Sequence, residues 1–136
     1  MAISKSVARK MVREAEQAAQ VASANATPTP MLVYEADGLS NRPKPDARAW
    51  HVPDGMCGFA WVNVSPANSR IANRIKEFGT FNTHRAYEGG LNVWMHLGGQ
   101  SVARKEAAAQ AYSQVIAQYI ADTGETARVY PQSRLD

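Results

Sequence analysis

Two short runs, CGFAWVNV at 57–64 and LNVWMHL at 91–97, alternate residue by residue between two chemistries. In the first, Ala60, Val62 and Val64 fall on one face of a strand, and Phe59, Trp61 and Asn63 on the other. In the second, Leu91, Val93, Met95 and Leu97 are wholly aliphatic, with Asn92, Trp94 and His96 opposite them. Alternation this regular constrains the chain to two half-buried strands. Matching like with like sets both aliphatic rows under helices. The other face is then aromatic and polar together: Phe59, Trp61, Asn63, Asn92, Trp94 and His96.

The segments around these runs read as helices. Ser65-Pro66 offers an N-cap followed by a proline at the first helical position, and Ile71, Ile75 and Phe78 recur at helical spacing up to Gly79. After Gly98-Gly99, Ser101 caps a long helix to about Thr123, stopped by Gly124. Its buried face is expected to be Ala108, Ala111, Tyr112, Val115, Ile116 and Tyr119. A third strand, TARVY at 126–130, ends at Pro131. Strand–helix–strand–helix–strand with short connections predicts parallel strands and right-handed crossovers. The expected fold is an α/β (α+β) two-layer sandwich with a β-α-β-α-β core. Two helices cover one face of a small sheet, and an N-terminal helix and extended arm are appended.

That N-terminal helix is read over residues 3–24, with Ile3, Val7, Met11, Ala15, Ala18 and Ala22 along one face. The stripe is narrow and rich in alanine, and an isolated helix so poor in large apolar groups is marginal in water. Two readings stand side by side: a helix docked on its own domain, or an arm that completes its packing on a neighbour or on phosphates. Residues 25–56 form a proline-rich connector with a short strand at 31–36, and Trp50 is the expected anchor of its unpatterned second half. The division is therefore 1–24 helix or arm, 25–56 connector, and 57–136 compact α/β domain.

Composition narrows the chemistry. The 136 residues are 45% hydrophobic and 20% charged, with a net charge of +3, which suits a globular chain and permits an acidic partner without requiring one. The lone cysteine, Cys57, excludes an intramolecular disulfide and a multi-cysteine metal cage, and it fits a reducing compartment. No apolar run approaches the roughly 20 residues of a membrane span, and the first residues lack a signal-peptide core. His51, His84 and His96 show no ligand spacing, and Asp37, Asp46 and Asp54 are read as turn residues. GGQS before the last helix lacks the P-loop lysine, and Arg104-Lys105 behind it is a weak acidic-partner signal. No catalytic residue, metal ligand or cofactor is assigned.

Two resemblances add expectations. Cys57 to Val64 resembles the RNP1 segment of RNA-recognition motifs (basic, Gly, aromatic, small, aromatic, aliphatic, any, aromatic), with Phe59 and Trp61 as the base-stacking pair. Cys57 stands where that pattern has a basic residue, and Val64 where it has its last aromatic. Over residues 55–136, GFAWVNVSPANSRIANRIK, YEGGLNVWMHLGGQSVARKEAAAQAYSQVI and the ending SRLD are similar to small proteins encoded by tailed bacteriophages. That likeness implies a phage origin and a non-enzymatic virion or accessory role, foremost capsid decoration (cement), in the virion or host cytoplasm. The expected partners are virion proteins such as the major capsid protein, or a second copy of the chain, with nucleic acid possible and no membrane. The expected contact residues are Val7, Arg9, Met11 and Arg13 on the arm, Trp50 on the connector, and Phe59, Trp61, Trp94 and His96 on the sheet. The alternative is an RNA- or single-stranded-DNA-binding protein that uses the aromatic face. Three coverings of that face stay open: the chain's own connector (Met31–Tyr34 and Trp50), a protein partner, or bases.

Overall fold

The computed structural model describes residues 3–28, 30–34, 49–52 and 55–136, with backbone alone for 31–34 and 49–52. Expectations for Asp37, Asp46 and Asp54, for the side chains of Trp50 and His51, and for the rest of the connector lie outside the described residues. The elements run α1 (Lys5–Asn25), β1 (Met31–Tyr34), β2 (Ala49–Val52), β3 (Gly58–Ser65), α2 (Arg70–Phe78), β4 (Thr83–Arg85), β5 (Leu91–Met95), α3 (Val102–Thr123) and β6 (Arg128–Leu135). The fold is α+β, with three helices and a four-stranded antiparallel sheet in the order β4-β5-β3-β6. β1 and β2 make a separate antiparallel ribbon in which Trp50 pairs with Val33. The expected strand at 31–36 therefore pairs with an unforeseen neighbour in the connector.

Neighbouring strands are all antiparallel, which corrects the expected parallel sheet. The crossovers are nevertheless present. β4 runs in the same direction as β3, with α2 between them in sequence, and β6 runs with β5 across α3. A short strand, β4, forms within the polar segment TFNTHRAYEGG at 80–90. The chain then turns at residues 86–90 and inserts β5 between β3 and β4, so each crossover spans an intervening strand. This β-α-β-β-α-β order is the split βαβ arrangement.

Helix ends follow local chemistry. Ser101 caps α3 by accepting from the Arg104 amide at 3.3 Å, and Gly124 (φ 70°) terminates it. α2 begins four residues later than expected, because β3 continues through Ser65, which pairs with Arg128. Ser69 is its cap, accepting from the Ala72 amide at 3.2 Å. β6 passes through Pro131 to Leu135, where the sequence predicted a stop. As an edge strand it tolerates a missing amide on its outer side.

The aliphatic rows lie beneath the helices as expected. Ala60, Val62, Val64, Leu91, Val93 and Met95 are buried with Ile71, Ile75, Tyr112 and Ile116. α1 belongs to the same core. Ala8, Met11, Val12, Ala15 and Ala19 are buried, facing α3, whose Ala108 and Ala109 are buried in turn. These side chains are small, and they contribute to the core through close packing and dispersion contacts. The expected stripe is rotated by about one residue. Val7 is exposed, whereas Met11, named as a surface contact, is fully enclosed. Of the open pair of readings for this helix, the structure has the docked one.

Arg104 and Lys105 are also internal. Arg104 donates to the Ser23 and Ala24 carbonyls at 3.0 and 3.4 Å, satisfying the end of α1, and Lys105 Nζ donates to the Gly58 carbonyl at 3.1 Å.

Candidate functional site

Strand register sets out the second face of the sheet as a grid. One row reads His84 on β4, Asn92 on β5, Asn63 on β3 and Tyr130 on β6. The next reads Trp94, Trp61 and Gln132, and beyond it Phe59 faces Arg134. Period two also places Arg128, opposite Ser65, on this face. No described element covers it. Phe59, Trp61, Asn63 and Trp94 are each half-buried, alternating with fully buried neighbours.

The rings form one continuous patch. Trp61 and Trp94 stack with centroids 5.4 Å apart and planes 8° from parallel, and Phe59 lies 5.9 Å from Trp94. Trp61 is held at its polar edge, where its indole N–H donates to Gln132 Oε1 at 2.7 Å. Cations bracket Phe59. The Arg134 guanidinium stands 5.4 Å from its centroid, and Lys105 Nζ, reaching round from α3, stands 5.3 Å away. The pattern leaves the ring edges and faces fixed before anything binds.

A polar network holds the opposite end. Asn63 Nδ2 donates to Asn92 Oδ1 at 2.8 Å and to the Gly89 carbonyl at 3.0 Å, tying the 86–90 loop to the centre of the sheet. Gly90 has to be glycine: its φ is 86°, and a Cβ would sit 2.6 Å from Asn63 Oδ1. Between this loop and the tryptophans lies a groove of about 490 Å³, lined by Trp61, Trp94, His84, Asn92, Glu88 and Arg134 among others. A groove of this size suits a small planar ligand or one nucleotide.

His96 does not join the face. β5 ends at Met95, and the His96 ring lies edge-on to the core residue Phe81, 5.3 Å away. His84 takes the expected place instead, 5.8 Å from Trp94. β4 was not legible in sequence, so His84 was not assigned there. The contributions of Gln132 and Arg134 were missed for the same kind of reason, since Pro131 hid the second half of β6. On α1, Arg9 and Arg13 are exposed, and Arg9 stacks over Phe78 at 5.0 Å, away from the sheet. Cys57 is an exposed thiol at the sheet margin, where its backbone bridges to Ser101.

Among the described residues no group of three or more His, Cys, Asp or Glu is placed to hold a metal, and no helix is long and apolar enough to cross a membrane. What fold and site define together is an α+β domain presenting one aromatic, cation-edged sheet face. No protein-family model, curated protein or solved structure matches the chain.

Proposed function

We propose that the protein binds single-stranded nucleic acid on the open sheet face, as a binding module rather than an enzyme. The observation that carries this reading is the fixed Phe59–Trp61–Trp94 patch on a face that no described element covers, with arginines at its margin. Every base has a π-face, so such a patch accepts bases with little regard to sequence, each stack contributing about 1–3 kcal/mol. Four-stranded sheets that stack two or three bases on aromatic side chains are an established solution to this problem. Arg128 and Arg134 are separated by six residues of β6, about 20 Å at 3.3 Å per residue. Phosphates on either side of the stacked bases fall within their reach.

The resemblance to phage proteins implies capsid decoration, with low intrinsic burial of residues 1–56 as its physical support. Met11, Val12 and the alanines of α1 are buried in the core, and most of the connector lies outside the described residues. The sheet face carries the functional reading in its place.

Fluorescence anisotropy with a labelled single-stranded oligonucleotide of a dozen thymidines tests it. Binding that weakens steeply with added salt, and that falls in both Trp61→Ala and Phe59→Ala, is the expected result. Absence of binding in the wild type, or binding that both variants retain, overturns the reading and leaves the chain's own connector or a protein partner as the cover of the face.

A further inference from the structure

Resting on that reading, we infer that the groove between Trp94 and the 86–90 loop is a base-reading pocket that prefers guanine. Three features of the loop converge on it. First, the loop is anchored rather than loose: the Ala86 amide donates to the Gly90 carbonyl at 2.9 Å, the Gly89 amide to the Ala86 carbonyl at 3.1 Å, and Asn63 holds Gly89 from the sheet. Its backbone therefore has a defined place relative to the sheet.

Second, Tyr87 is 102% exposed, the most exposed of the large hydrophobic residues, yet it lines the groove. It packs on nothing, so the fold gains nothing from an aromatic ring there. An aromatic ring free at the rim of a groove that Trp94 also lines is available to cover a base held there.

Third, Glu88 is the one carboxylate among the groove residues, and no described residue pairs with it. An ionised carboxylate only accepts hydrogen bonds. Guanine presents adjacent donors, N1–H and the N2 amino group, along one edge, and both carboxylate oxygens accept from them together. Adenine and cytosine offer a single amino group flanked by a ring acceptor, and thymine flanks its one N–H with two carbonyls. Each of these sets a lone pair against the carboxylate, which costs affinity. Arg134 also lines the groove, beside the Phe59 ring, and supplies a cation for the strand's phosphate.

The test uses the full chain and thymidine oligonucleotides carrying one central guanine, hypoxanthine or adenine. Guanine is expected to bind about tenfold more tightly than adenine, a charge-assisted pair of hydrogen bonds against a single one offset by a lone-pair clash. Hypoxanthine, which lacks the N2 amino group, falls between. Glu88→Gln is expected to reduce the guanine-over-adenine ratio to about twofold or less, because its amide N–H₂ meets a donor. Its melting temperature reports that the exposed substitution leaves the fold intact. Equal wild-type affinities for guanine and adenine, or a ratio that Glu88→Gln preserves, overturn the pocket while thymidine binding leaves the face reading standing. No binding to any of these strands overturns both.

Discussion

The two faces of one sheet, built from the same strands, are organised on opposite principles. Under the helices every side chain of β3 and β5 is small or aliphatic and fully enclosed: Ala60, Val62, Val64, Val93 and Met95 are at 0% exposure. On the other face the same strands carry Phe59, Trp61 and Trp94, the largest apolar groups available to them, and leave each of them half in water. If burial alone governed the choice, the large rings would lie inside, where each removes the most surface from solvent. The difference teaches that one pair of strands carries two chemistries: an aliphatic face enclosed by helices and an aromatic face that no element among the described residues covers.

That contrast is most easily broken from the covered side. Ile116→Ala empties a fully buried position on α3 and is expected to cost about 2–5 kcal/mol in urea unfolding, with oligonucleotide affinity unchanged for the fraction that remains folded. Ala15→Leu is expected to cost about 1–3 kcal/mol, because the close helix contact of α1 has no room for three more carbons. A cost near zero for Ala15→Leu would mean that α1 is the loosely held arm the sequence allowed. Trp61→Ala sharpens the comparison from the aromatic side: roughly 5- to 150-fold loss of single-strand affinity by anisotropy, from the loss of about 1–3 kcal/mol of stacking. Its melting temperature should move less than that of Ile116→Ala.

The smallest effect concerns Tyr112. Its hydroxyl is buried without a hydrogen-bond partner, and burial, with the Glu16 carboxylate adding, pushes the phenol well above its ordinary range. Tyr112→Phe removes the orphan group and is expected to stabilise by about 1 kcal/mol at neutral pH. In the unfolded chain the phenol ionises near pH 10, while in the folded protein it keeps its proton. The folded state then binds more protons, so this residue's contribution to stability falls as pH rises above that value, by about 1.4 kcal/mol per unit. Chemical denaturation between neutral and alkaline pH should show a shallower loss in Tyr112→Phe than in the wild type.

The partition of the two faces was legible in sequence because alternation is a local property of a strand, and Ala60, Val62 and Val64 need no partner to be assigned. Caps were legible for the same reason at Ser101, Gly79 and Gly124. What was hidden depended on neighbours. The three residues of β4 acquire strand character only by pairing with β5, and without β4 the crossovers read as adjacent parallel strands. β6 runs through Pro131 because it is an edge, which no local pattern announces. The docking of α1 rests on Ala8, Ala15 and Ala19 as well as Met11 and Val12 being buried in the shared core, a pattern invisible to a search for large apolar stripes. For the site, five of the six residues assigned to that face from sequence (Phe59, Trp61, Asn63, Asn92 and Trp94) are on it. His96 is not, since β5 ends one residue short of it and His84 enters from the unforeseen strand.

The most direct test of the division between the faces is chemical-shift mapping of the wild-type protein during titration with single-stranded thymidine oligonucleotide. The indole N–H signals of Trp61 and Trp94 are expected to move together and saturate, while the methyl signals of Val62, Val93 and Ile116 beneath the same strands stay in place. Unmoved indoles at saturating oligonucleotide, or equal shifts on both faces, would contradict the account.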